Sequence, residues 1–421
     1  MAKKIRILCF ILFLFGNCVH SQVGTIGHLS LRAPLCEEVE GLLVKHDSLT
    51  LHYTGKAKWC FENGYVKKTC RFVDGKREGL YCVYDFQGDL KATGNHLNDK
   101  LHGIYKEFSS LGKLSKSCEF KYGRLEGNYL EFHQDGSLKR SRTFINDTLN
   151  GEYLEYYKED SLKIKANYKD NLLEGHYSLF FENGTLAESS FYTNGKLNGE
   201  KSEYYPNGKI WKRVTFVNGL EEGTFVMYYP NQNLHYKIVY KNGDQTGEFI
   251  EYYESGQLKV NQTLIKGRVQ GTSILYYEDG NVWEKTNYTN DIYDGTQLYY
   301  YPNGKLKDSL NYLNGLQEGK QARFYSNGNA KERSFYKNGL YEGNITFYYE
   351  GGRISSKWNY LNGECHGEQL MYDEKGYLTR RSNYKNGIQD GITEEYSRDG
   401  SILKAMVYQD GTLIECRGKC D

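Results

Sequence analysis

Residues 199–219 read GEKSEYYPNGKIWKRVTFVNG. A six-residue run from Gly199 to Tyr204 leads into Pro206-Asn207-Gly208, and an eight-residue run from Ile210 to Val217 ends in Asn218-Gly219. Asn-Gly between apolar-patterned runs is the strongest short-range hairpin signal, because a tight hairpin turn needs residues that enter the left-handed region cheaply. Both runs have the usual length of a strand. The stretch therefore reads as a β-hairpin with a second turn waiting at its end.

The same writing recurs in both directions. Opening glycines stand at Gly55, Gly79, Gly103, Gly127, Gly151, Gly175, Gly199, Gly223, Gly247, Gly271, Gly295, Gly319, Gly343, Gly367 and Gly391, every spacing being 24 residues. Fifteen units then cover residues 55–414 with no insertion, which leaves no loop from which to build a pocket. With the opening glycine as position 0, position 5 is aromatic in all units but the one holding Cys60, and position 9 is glycine except at Asp160 and Gln232. Position 11 is aliphatic in all units but one, position 17 is Phe or Tyr in thirteen, and position 20 is always Gly, Asp or Asn. Positions 9 and 20 are turns. A helix would lose about 1 kcal/mol at each glycine. The chain is thus expected to be all-β: an elongated, solenoid-like ribbon of stacked antiparallel β-hairpins, in which stacking supplies the stability a lone hairpin lacks. If the first turn opposes positions 5 and 11, the odd positions 5, 11 and 17 should share one aromatic face.

Outside the repeats, Met1 to Ser21 carries Lys3, Lys4 and Arg6 ahead of the apolar run Ile7–Phe15, with Val19 and Ser21 at the −3 and −1 positions of a cut. That is the grammar of a secretory signal peptide, too short to span a bilayer, and no other run approaches spanning length. It implies a secreted or periplasmic mature chain. Residues 22–54 fall outside the register and read as an N-terminal cap segment, and 415–421 as a C-terminal tail. Over the whole chain 54 Lys and Arg balance 53 Asp and Glu, so no global field favours nucleic acid.

The variant turn Y-Y-x-N-G, the aliphatic residue two after its glycine, and the closing Y/F-x-N-G followed by x3-G resemble MORN repeats of the bacterial variant type. The resemblance implies elongated hairpin ribbons that act as scaffolds or interaction modules, with no catalytic residues to carry over. Some variant-type members bear an antitoxin label; an export signal fits badly with that role or with an intracellular lipid-associated scaffold.

Chemistry is sparse. The ten histidines make no H-x3-H, H-E-x2-H or zinc spacing, and there is no P-loop or G-x-S-x-G. Neither a catalytic residue, a metal nor a cofactor is expected. Lysine recurs at position 12 in seven units, and three of these, Lys139, Lys163 and Lys259, are expected opposite Glu131, Glu155 and Glu251 at position 4. At position 6, nine consecutive units carry a ring: Tyr157, Phe181, Tyr205, Tyr229, Tyr253, Tyr277, Tyr301, Tyr325 and Tyr349. This row reads either as local packing or as an interface, the partner being a protein or, alternatively, a carbohydrate of the cell envelope. An oxidising compartment would permit disulfides, and pairing position 18 with the next opening glycine sets Cys70 opposite Cys82 as a candidate bond. The competing reading makes both small core residues. Cys416 and Cys420 are a second candidate, within the tail.

The unbroken period makes a shape prediction. Small-angle scattering of the mature chain should give a rod-like profile, whereas a radius of gyration near the globular value of about 22 Å would refute the ribbon.

Overall fold

The computed structural model describes residues 41–43 and 52–418, which divide after Leu172 into two units. The signal-peptide expectation and Cys420 lie outside the described residues. In each unit, hairpins hydrogen bond edge to edge into an open antiparallel sheet, and among the described residues all regular structure is strand apart from a 3-10 turn at Lys158–Asp160. At its start the first unit has Leu42–Leu43 paired parallel to Gly55–Cys60.

The two turns form as the sequence indicates. In the first, Tyr205 N–H donates to Lys209 O and Gly208 N–H to Tyr205 O, both at 2.8 Å, with Gly208 at φ 83°. Asp160 (φ 60°) and Gln232 (φ 77°) enter the same left-handed region without glycine's freedom. The Gln232 side-chain amide donates to Ile210 O at 3.1 Å, helping to hold it there. In the second turn both central residues have positive φ, Asn218 at 52° and Gly219 at 87°, as a type I′ hairpin requires.

Two irregularities in the pairing change which residues share a face. After Tyr204 opposes Ile210 as expected, the ladder slips by one residue at Trp211, so that Glu203 opposes Lys212 and Gly199 opposes Phe216. Positions 5 and 11 therefore face one way, and position 17 faces the other. One face carries positions 2, 4, 13, 15 and 17, joined by positions 6 and 12 at the first turn; we call it the tyrosine face. The single odd-numbered face is corrected accordingly, since a one-residue slip moves every later side chain across the sheet.

The second irregularity sits at the opening glycine. Phe72 opposes Arg77 and Cys70 opposes Tyr81, so Glu78, Gly79 and Leu80 bulge against Arg71 alone. Gly79 adopts φ 76°, and every other opening glycine is likewise at positive φ. The bulge also breaks the proposed Cys70–Cys82 bond. Cys82 opposes Thr69, and its side chain leaves the sheet on the side opposite to Cys70. Both are free thiols, as are Cys118 and Cys365. Cys70 packs with Ala57 and Phe72 in a buried cluster, the core role weighed against the bond. Cys60 is in a disulfide, and so, separately, is Cys416.

The core follows positions 2 and 15 along the tyrosine face: Ala57 against Cys70 in the first unit, and Val214, Ile238, Ser273, Thr286, Ile345 and Met406 in the second. Side chains also stitch unit to unit. In most units the residue before the opening glycine accepts from the backbone N–H of the next second turn: Glu222 from Asn242 at 2.8 Å, Glu318 from Asn338 at 2.7 Å, Gln270 from Asn290 at 3.0 Å. Beside it, backbone bonds such as Gly219 N–H to Leu197 O at 2.7 Å link the same two turns.

Thiol chemistry tests this register. Burial pushes the Cys118 thiol up to about 11 and raises that of Cys70. In the native protein at pH 8, iodoacetamide should label half-buried Cys82 and Cys365 well before Cys70 and Cys118. All four should label in denaturant without reductant, and recovery of a Cys70–Cys82 peptide pair would overturn the register.

Candidate interaction face

The bulge at position 12 places that side chain beside position 13, directly over the ring at position 6. Lys163, Lys259, Lys307 and Lys331 hold Nζ 5.6–5.9 Å from the ring centroids of Tyr157, Tyr253, Tyr301 and Tyr325. In three units where position 12 is not lysine, another ring lies against the tyrosine: Trp211 on Tyr205, His235 on Tyr229 at 4.2 Å between centroids, and Trp283 on Tyr277; Ala187 and Ser355 hold position 12 beside Phe181 and Tyr349. The lysine recurrence and the aromatic row, read separately from the sequence, are one feature.

Seven hydroxyls of the row are committed. Tyr205, Tyr229, Tyr253, Tyr277, Tyr301, Tyr325 and Tyr349 each donate to the backbone carbonyl of position 5 in the next unit, at 2.7–3.0 Å. Tyr157 and Phe181 occupy the same position in their own hairpins, and all nine rings are half-buried. The row thus bonds to its neighbouring unit as well as packing beside position 12 of its own, and its rings stay half-buried. Asparagines at the first turn add parallel links, Asn231 to Glu254 O at 2.9 Å and Asn327 to Glu350 O at 3.0 Å.

Deeper on the same face, positions 4 and 13 oppose one another and pair charges. Arg140 meets Glu131 at 3.0 Å, Lys212 meets Glu203 at 3.1 Å and Arg323 meets Glu332 at 3.3 Å. Of the three expected pairs at positions 4 and 12, Lys163–Glu155 (3.0 Å) and Lys259–Glu251 (2.7 Å) form across the bulge. Glu131 instead takes Arg140 and Arg142. The signal for the 4–13 pairing is present in the sequence, but it appears only once position 12 is counted as extra. Lys201, Lys212, Val214, Phe225 and Tyr240 help to line an open recess of about 200 Å³ in the second unit. Among the described residues no group of three His, Cys, Asp or Glu side chains is arranged to hold a metal ion, and no helix is long and apolar enough to cross a membrane.

The model of the MORN repeat variant matches nine consecutive segments, residues 125–146, 149–170, 173–194, 197–218, 221–242, 245–264, 269–290, 293–314 and 317–338. The chain belongs to the MORN-repeat-variant family. As a MORN-repeat protein it is a repeat scaffold of a kind suited to protein or membrane interaction. A search of the curated proteins finds no match. Among solved structures, TcdB2-TccC3-Cdc42 is 10% identical over 85% of this chain and 26% of its own, with a TM-score of 0.13. The Tc holotoxin pore of Photorhabdus luminescens is 12% identical over 83% and 23%, with a TM-score of 0.16. The MORN-repeat chain spans about a quarter of the length of those structures, and at such scores the likeness carries no argument about its function.

The hydroxyl ladder makes a prediction with a definite pH sign. Burial raises the phenols of Tyr205, Tyr229, Tyr277 and Tyr301, so the folded state holds their protons more tightly than the unfolded chain. Their contribution to stability is complete below the ordinary tyrosine value of about 10 and is lost as pH climbs beyond it. Replacing Tyr229, Tyr277 and Tyr301 together by Phe should lower stability by about 1 kcal/mol per hydroxyl near neutral pH. The gap from wild type should narrow in thermal melts above pH 10, and a gap independent of pH would contradict the ladder.

Proposed function

We propose that the protein is an exported, non-catalytic repeat scaffold whose tyrosine face binds a protein partner. The observation that supports this most is the tethering of the row. Each ring from Tyr205 to Tyr349 is fixed at both ends, by its own backbone and by its hydroxyl on the next unit. From Tyr205 to Tyr325 the half-buried ring also lies beside a cation or a second ring. Rigid aromatic rings of this kind give contact area at little cost in conformational entropy, which is what interface anchors need. Export rests on the charge and apolar order of residues 1–21.

The test separates rings from hydroxyls. The triple change of Tyr229, Tyr253 and Tyr277 to Phe keeps the rings, and should leave capture of a partner from envelope extracts intact despite the lower melting point. The triple change to Ser removes the rings and should abolish capture in samples shown by circular dichroism to remain folded. Equal capture by the folded Ser variant would eliminate the row as the interface, and selective retention on a glycan array would favour a carbohydrate partner instead.

A further inference from the structure

Glu284 is buried, 8% exposed, on the tyrosine face of the second unit. It accepts a hydrogen bond from Thr286 Oγ1 at 2.6 Å. Its cross-strand neighbours are Leu275 and Tyr299, and no ion pair reaches it among the described residues. An isolated buried acid is costly, and folded proteins ordinarily give it a cation.

Two units on, the same chain does supply one. Glu332 occupies the equivalent position, is 6% exposed, and accepts from Ser334 Oγ at 2.8 Å as Glu284 does from Thr286. Both acids lie beside a run of three tyrosine rings. Tyr336, Tyr341 and Tyr360 are spaced 4.4 and 5.2 Å between centroids, and Tyr288, Tyr293 and Tyr312 are spaced 5.2 and 5.2 Å. The difference is the residue facing the acid across the hairpin. Glu332 opposes Arg323, whose guanidinium lies 3.3 Å away, whereas Glu284 opposes Leu275. A fourth ring, Tyr299, stands opposite Glu284 on the other side. Close by, Gln297 opposes Thr286, is 2% exposed, and has an amide nitrogen with no partner.

We propose that Glu284 and the rings of Tyr288, Tyr293, Tyr299 and Tyr312 form a binding site for an alkylammonium group, which takes the place that Arg323 fills beside Glu332. A carboxylate backed by tyrosine faces attracts such a cation both by charge and through the rings, most strongly where water is scarce. The donor on Gln297 favours a ligand that carries an acceptor oxygen close to its cation. Two sources offer that chemistry: a lysine residue within a peptide, whose backbone supplies carbonyls, or a small hydroxylated amine. This site is separate from the row at position 6 and does not rest on the reading of that row as an interface.

Isothermal titration of the full chain decides it, with choline chloride and the blocked tripeptide acetyl-Gly-Lys-Gly-amide as probes and sodium acetate as control. The expected result is saturable binding of at least one cation at one site per chain, with no binding of acetate. Glu284→Gln should weaken it about tenfold or more. Leu275→Arg installs the internal cation found two units on; it should abolish binding and, without ligand, raise the melting temperature. The probe that binds names the source. No saturation by either cation up to about 10 mM, tenfold beyond a millimolar site, would overturn the proposal. Binding that Glu284→Gln leaves unchanged, in protein with a wild-type circular dichroism spectrum, would do the same, and this arm remains decisive if Leu275→Arg fails to fold.

Discussion

A two-stranded hairpin in water is barely stable, and each 24-residue unit here depends on hydrogen bonding both its edges to neighbours. That demand constrains everything else. An edge strand can pair with the next hairpin only if its free N–H and C=O groups arrive in the same register each time, so a single inserted residue would misalign the following unit. The absence of insertions from residue 55 to 414 is the sequence-level form of this constraint. The glycine bulge is its structural form, because it lets a two-residue type I′ turn feed a strand that then pairs in a different register.

The bulges also decide the chemistry of the two faces. Without the slip at position 12, position 13 would lie on the opposite face from position 4, and the acid–base pairs Glu131–Arg140, Glu203–Lys212 and Glu332–Arg323 would be split between the faces. With it, the tyrosine face gathers rings, acids and bases into one layer. Cross-strand pairs of this type are individually modest. Their role is to neutralise half-buried charge, and it is against that background that the unmatched Glu284 stands out.

Much of this architecture was legible in the residues. The period, both turns and the strand lengths follow from glycine and Asn-Gly spacing, since a required left-handed conformation leaves a compositional trace. The bulges left a trace that is easily misread. Glycine at position 0 looks like punctuation, and nothing in strand periodicity says whether three residues or four face Arg71; the Cys70–Cys82 pairing failed on that one-residue difference. The tyrosine row was visible as a row, but not its bonding, because its acceptors are backbone carbonyls that every residue type provides equally. Glu222 and its counterparts before most opening glycines were legible in principle, as acceptor side chains at a fixed place. Their partner is again a backbone group, 20 residues away in the case of Asn242.

All the tyrosine rungs run in one direction, from a hydroxyl in one unit to a carbonyl in the following unit, and each uses the same two positions. Tyr229 reaches Tyr252 and Tyr253 reaches Tyr276. Excision of residues 247–270 would set the Tyr276 carbonyl where the Tyr229 hydroxyl now finds that of Tyr252, with the backbone pairing of the join of the kind already in use. Duplication of a unit would be accommodated in the same way. Genetic recombination between repeats can therefore lengthen or shorten the array in whole units with the backbone register kept at the seam. The protein is built so that the spacing between distinctive features such as Glu284 and Glu332 is itself a heritable, quantised variable on which selection can act.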